Sequence, residues 1–285
     1  GAGGARLNGR LTSMDYTVVE GDGAAANLTG TSQTWHLDLE YPFTRSRAAN
    51  VRGTAGYDFR TMTDLASGIV TKERDVRSAG LGLSGDAVGG GGYTSWSVSY
   101  FAGESQVLQG ADPNVSGPYS KIAAAFTRVQ RLAGRYSLTV RASGQWAAAN
   151  LDSTEKLALG GPSGIRAYPV SEASGDTGWV GSLELSRDLT LSDKLGSAQL
   201  VAFVDAGWIQ VYVTPPAVIP TATGQNSYSL AGMGLAATWR PSAQSSMQLG
   251  WARALGDNPG RTIHGTHADG GTQDQRIWLQ ATFSF

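Results

Sequence analysis

The sequence predicts an all-β protein, a transmembrane antiparallel β-barrel with about twelve strands visible in 285 residues. Three observations predict this class. Apolar and polar residues alternate with period two in segment after segment, so each strand carries its apolar groups on one face. The connections between these segments are alternately short and long, the sidedness of barrels that span a membrane. No segment holds the roughly 18 or more consecutive apolar residues that a membrane helix needs, and no helical period competes.

The expected strands lie near 5–19, 32–43, 49–61, 75–86, 92–103, 119–130, 134–147, 178–189, 197–210, 227–240, 245–255 and 275–285. In the second, Trp35, Leu37, Leu39 and Tyr41 alternate with His36, Asp38 and Glu40. The third sets Val51, Ala55, Tyr57 and Phe59 against Arg52, Thr54, Asp58 and Arg60. Trp96, Val98 and Tyr100 alternate with serines in the fifth, and Tyr136, Leu138 and Val140 alternate with Ser137, Thr139 and Arg141 in the seventh. The eighth puts Trp179, Gly181, Leu183 and Leu185 outside and leaves Val180, Ser182 and Glu184 for the lumen. The ninth puts Ala198, Leu200, Ala202 and Val204 outside, so Phe203 and Asp205 face inward with Glu184. The last alternates Ile277, Leu279, Ala281, Phe283 and Phe285 with Trp278, Gln280, Thr282 and Ser284.

The short links are 44–48, 87–91, 131–133, 190–196 and 241–244, and the long ones are 20–31, 62–74, 104–118, 148–177, 211–226 and 256–274. Counting Lys156–Leu159 as a spanning strand would break this order, which places those residues inside the long loop.

Composition agrees. There are 39 glycines and 18 Trp plus Tyr residues against 16% charged residues, which suits many turns, interfacial aromatics and a polar lumen. A net charge of −1 offers no basic field, so nucleic acid is not an expected partner. With no cysteine, disulfides and thiolate metal sites are excluded.

The candidate site is the Gly/Pro-punctuated loop 148–177, which carries Arg166 between the apolar residues Ile165 and Tyr168. An arginine is always charged, so one carried into a barrel lumen needs carboxylates. The strand phases supply Asp205 and Glu184. The expectation is a lumenal salt bridge from Arg166 to Asp205 with Glu184 nearby, Tyr168 and Phe203 packing the joint. Gly160, Gly161 and Gly164 allow the turns, and Pro162 and Pro169 stiffen them.

Other clusters read as ordinary. His264 and His267 lie on a Gly-rich loop that reads as solvated rather than as a metal site. Ser163 lacks the full nucleophile-elbow pattern. Glu20 and Asp22, the run Lys72-Glu73-Arg74-Asp75, and Gly89–Gly92 read as solvated loops or turns. Inward Arg52, Arg60 and Arg141 line a pore or pair with acids such as Asp58 and Glu40. No catalytic residue, metal or cofactor is expected.

LGGPSGIRAYP resembles the loop motif of the TpsB transporters of two-partner secretion, in the haemolysin secretion/activation branch and related to the BamA assembly factors. FVDAG, which ends at Gly207, resembles their strand motif. Ala167 stands where glycine is commonest. The terminal aromatics Phe283 and Phe285 resemble an outer-membrane sorting strand, with Gln280 where that signal has glycine.

The resemblance implies a sixteen-stranded barrel preceded by POTRA domains that feed an unfolded exoprotein through the pore. The chain 1–285 is then read as one barrel domain, with the first four strands and the POTRA domains outside it and 148–177 as a lumenal loop within it. The implied function is export of a partner exoprotein, an adhesin or haemolysin, across the Gram-negative outer membrane. Outer-membrane lipid and the barrel-assembly machinery are its other partners, and the expected state is a monomer. The competing readings are a BamA-like assembly factor, the translocator barrel of a fused surface enzyme such as a patatin-like lipase, a solute porin, and a soluble β binding protein.

Overall fold

The computed structural model describes residues 4–19, 26–110, 115–192 and 195–284. Phe285, Glu20 and Asp22 lie outside the described residues. Seven strands come first: β1 (Arg6–Thr17), β2 (Leu28–Arg45), β3 (Ala49–Ala66), β4 (Ile69–Gly89), β5 (Gly92–Gln109), β6 (Gly117–Arg131) and β7 (Tyr136–Ala147). Two short strands, β8 (Leu157–Ala158) and β9 (Ser174–Gly175), follow within the long loop. β10 (Thr177–Thr190), β11 (Ser197–Gln210), β12 (Ser227–Ser242), β13 (Ser245–Leu255) and β14 (Gln275–Phe283) complete the chain.

Twelve of these form one antiparallel sheet in chain order, β1 to β7 and then β10 to β14, while β8 and β9 pair only with each other. β1 and β14 each have one strand neighbour among the described residues. The sheet curls around the loop between β7 and β10. Loop residue Glu155 meets Arg60 on β3 and Lys121 on β6, while Arg166 meets β10 and β11 and takes a hydrogen bond from Trp278 on β14.

The period-two expectation holds along the wall. Leu37, Leu39, Leu81, Leu183, Leu200, Ile277 and Leu279 lie on the convex face and are exposed, Ile277 at 72%. Leaving a leucine-sized side chain in water rather than burying it forgoes about 1.5–3 kcal/mol. A continuous belt of such residues far exceeds the apolar patch a soluble monomer shows, and it marks this face for lipid.

The expected long loop 62–74 is absent. β3 and β4 run on to a two-residue turn at Ser67 and Gly68, whose φ values of 50° and 81° are those of a type I′ hairpin. The charged residues there read as loop because charge is scarce in membrane strands, yet β3 and β4 have 18 and 21 residues. That is longer than the roughly 9–11 residues needed to span hydrocarbon. The surplus lies beyond the bilayer or faces inward, where charge is tolerated. β5 and β6 likewise extend into the expected 104–118 loop.

Candidate functional site

The loop from 148 to 176 builds itself before it meets the wall. Asp152 caps a single 3-10 turn, Ser153–Glu155, through the Thr154 N–H at 3.0 Å. The β8–β9 pair closes the loop's neck. Beyond it the chain folds back on itself: the Ile165 N–H donates to the Leu159 carbonyl at 2.7 Å and the Gly161 N–H donates to the Tyr168 carbonyl at 3.1 Å. A side chain at Gly164 would put Cβ 2.1 Å from the Leu159 carbonyl oxygen, so this fold-back requires glycine there. Gly160 is packed as closely against Pro169, and Pro162 and Ser163 form the tip.

The structure brings Arg166, Asp205 and Glu184 together. The Arg166 backbone N–H and Nε donate to Asp205 Oδ2 at 3.0 and 2.9 Å, and Nη2 donates to Oδ1 at 2.7 Å. Nη1 donates to Glu184 Oε1 at 2.7 Å and Nη2 also reaches Ser182 Oγ at 2.8 Å. The guanidinium carbon lies 3.4 Å from the centre of the Phe203 ring, and the Arg166 carbonyl accepts from Trp278 Nε1 at 2.8 Å. Arg141 shares Glu184 at 2.8 Å. Asp205 is fully buried. Burial disfavours the Arg166 cation, but the Asp205 and Glu184 carboxylates outweigh it and hold its pKa above the ordinary value.

The wall is shaped to receive the loop. Ile165 and Tyr168 are fully buried and Ala167 is nearly so, in a cluster with Leu159, Phe203, Val180 and Ile209. Gly232, paired with Asp205 across β11 and β12, leaves the gap that Ala167 fills: a Cβ there would sit 2.6 Å from the Ala167 Cβ. Gly207 lies under Leu159 and Ile165 in the same way. Burial, together with the carboxylates of Asp274 and Glu172, pushes the Tyr168 phenol up to about 12, so this ring packs as a neutral group.

Three further groups of contacts escaped sequence reasoning. At the loop's root, Asp152 meets Arg74 at 3.2 Å, and Glu155 meets Arg60 at 3.3 Å and Lys121 at 2.9 Å. At its neck the fully buried Asp176 takes Lys156 at 2.7 Å and the backbone N–H groups of Leu151 and Val213. On its outer side Glu172 accepts from the Ala268 N–H at 2.7 Å and from Asn258, with His267 Nδ1 at 3.4 Å.

Two expectations are corrected here. His267 is not solvated: it is 1% exposed, with its ring edge-on to Tyr168 at 5.7 Å. Arg74 is not in a solvated loop but is a buried residue of β4, also 3.3 Å from Asp64. Nothing local to His267 signals its burial, because its partner Glu172 lies on another loop. Of the inward arginines, Arg52 pairs with Asp86 at 3.4 Å, whereas Asp58 is taken by His36 at 2.7 Å.

Phe283 ends β14 exposed on the convex face. Among the described residues no group of three or more His, Cys, Asp or Glu side chains is arranged to hold a metal ion. The arrangement is a set of latches for a segment of backbone, all of them noncovalent.

The profile of the haemolysin secretion/activation proteins ShlB/FhaC/HecB matches residues 7–235. Among curated proteins, the outer membrane transporter CdiB of Escherichia coli is 25% identical over 224 residues, covering 73% of this chain. That of Escherichia coli O6:K15:H31 (strain 536 / UPEC) is 24% identical over the same length. The chain spans 38% of the length of either relative. Among solved structures, CdiB from Escherichia coli superposes with a TM-score of 0.78 at 19% identity, over 99% of this chain and 51% of that one. CdiB from Acinetobacter baumannii gives 0.70 at 17% identity, over 99% and 47%. At these identities the structural likeness speaks to the fold alone.

Proposed function

The chain belongs to the ShlB/FhaC/HecB family of haemolysin secretion/activation proteins, and on that premise we propose that it forms the pore through which a partner exoprotein leaves the cell, with the 148–176 loop as its movable plug. It is an outer-membrane β-barrel protein of the two-partner secretion class. The long connections then face the exterior and the short turns the periplasm.

The observation that carries the reading is the Arg166 joint. One residue of a loop is held by its backbone N–H, its whole guanidinium edge and its carbonyl, to side chains from three wall strands. A loop that only connected two strands on the surface would need none of this. Here Arg166, Asp205 and Glu184 fix where the plug sits, Tyr168 and Phe203 fill the joint, and Gly160, Gly161, Gly164 and Gly207 let the backbones approach. Transport requires the joint to release as a chain threads the lumen, and folding of the exported chain outside supplies the free energy. The exoprotein is an adhesin or haemolysin in this reading, and no bond is made or broken.

The single-sided pairing of β1 and β14 supports a wall completed by further strands, four of them for the sixteen of the resemblance. Unpaired backbone groups facing hydrocarbon cost several kcal/mol each, which disfavours two open edges in lipid.

The test is secretion of the exoprotein encoded beside the full-length parent, normalised to folded barrel in the outer membrane. Arg166→Ala and Asp205→Ala are expected to lower it about tenfold or more, because removing one member of a buried pair costs about 3–5 kcal/mol at the joint. Secretion equal to the unaltered protein at equal barrel level would defeat the proposal.

A further inference from the structure

On the short-turn side of the Arg166 joint lies a cavity of about 640 Å³, roofed by Pro162, Ser163 and Arg166. Its floor has a pattern the plug does not use. Gln199 on β11, Thr238 on β12, Gln248 on β13 and Gln280 on β14 are directly paired across successive strands, forming one row. Asp188 on β10 continues the row and accepts from Gln199 Nε2 at 2.8 Å. Gln248 and Gln280 are exposed into the cavity, and their amides have no protein partner among the described residues. Between this row and the joint lies a smooth step of Val201, Ala236 and Gly250.

We propose that this row is a contact track for the backbone of an extended, unfolded polypeptide, engaged just before the plug; the inference rests on the export reading above. A chain in transit has every backbone N–H and C=O unpaired, and these are the groups common to all sequences. A glutamine side chain offers both an acceptor oxygen and a donor NH₂, and threonine adds a hydroxyl that does either. The row itself carries no cation; Arg240 lines the same cavity two residues beyond Thr238, and the nearby Glu184 is paired with Arg166 and Arg141.

From β10 to β14 the row crosses four inter-strand steps of about 4.8 Å, roughly 19 Å in all. That matches about five or six residues of extended chain. The track also accounts for Gln280, which occupies a position where the terminal sorting pattern has glycine: its side chain faces the lumen beside Gln248, not the lipid.

The experiment uses the intact transporter in liposomes with Thr127→p-benzoylphenylalanine, across the cavity from the row. The probe is a fluorescent, unfolded peptide of about 30 Gly, Ser, Asn and Thr residues added on the short-turn side. Crosslink yield is expected to fall roughly fivefold or more in Gln199→Leu/Gln248→Leu/Gln280→Leu and to be largely kept in Gln248→Asn/Gln280→Asn. Heat-modifiable mobility confirms assembly. If the triple variant fails to assemble, Gln280→Leu alone, at the sheet edge, is expected to give about a twofold loss. An undiminished yield in the assembled leucine variants would overturn the track and leave the export reading standing. No crosslink even with the row intact would overturn both.

Discussion

The two ends of the 148–176 loop are held by opposite charge patterns. Near its tip the loop brings a cation, Arg166, to acids on β10 and β11; at its root it brings the acids Asp152 and Glu155 to cations on β3, β4 and β6. The surroundings differ as well. The tip joint sits on Phe203 above an apolar cluster and its Asp205 is fully buried; at the root Asp152 is buried against Arg74 in the same way, while the Glu155 pairing reaches water through Arg60, whose side chain is 23% exposed. The same kind of ion pair therefore does different work. A buried pair is costly to break from one side, and a pair with one member open to water is less so. The reversed polarity also specifies direction, because a loop docked the other way round would set acid against acid.

The sharpest way to break this contrast is at Arg166. Arg166→Ala should raise single-channel conductance in planar bilayers far more than Glu155→Gln at the root, reflecting a loss of about 3–5 kcal/mol. Arg166→Lys should fall between, because an ammonium cannot reproduce the planar fork used by Asp205 and Glu184 together. The exchange Arg166→Asp/Asp205→Arg should not restore closure. It places a new carboxylate beside Glu184 and removes the acceptor of the Arg166 N–H. A closed channel in the exchange variant would show that charge alone makes the joint.

A steric version comes next. Gly232→Ala should displace the loop at a cost of about 1–3 kcal/mol. Protease accessibility of the loop should rise, and Ala167→Gly in the same chain should reverse it, since the clash lies between those two positions. Glu172→Gln should be of similar or smaller size, about 1–2 kcal/mol, because one oxygen that accepts from Ala268 or Asn258 becomes a donor. Hydrogen exchange in 256–274 should report it.

Smallest is Glu155→Gln at the root, worth about 1 kcal/mol and weakening as salt is raised, because the amide oxygen still accepts a hydrogen bond from Lys121 and Arg60 is partly open to water. A Glu155 effect equal to that of Arg166 and indifferent to salt would erase the difference between the two ends.

Much of the wall was legible because a strand's period is two and lipid tolerates only apolar groups. The phases of β10 and β11 aim Glu184, Phe203 and Asp205 at one space, and an arginine in the preceding loop has to find such carboxylates. The same rule misread Asp64, Lys72, Glu73 and Arg74, since charge facing a lumen looks like charge on a loop. His267 and Glu172 were opaque for another reason: each is ordinary in its own segment, and only the stacking of one loop on another buries them together.

By itself the sequence determined the class of fold, the face of each long strand, the sidedness of most connections and the loop that carries the arginine. Those are local properties, set by period, turn residues and the cost of unpaired polar groups in hydrocarbon. Only the tertiary structure decided that the loop is anchored at both ends with reversed charge, that Gly232 makes room for Ala167, and that four polar side chains line up across β11 to β14. Each of these depends on strand register and on which residues, remote in sequence, the curled sheet brings within a few ångströms, and period-two alternation is the same for every register that keeps the faces.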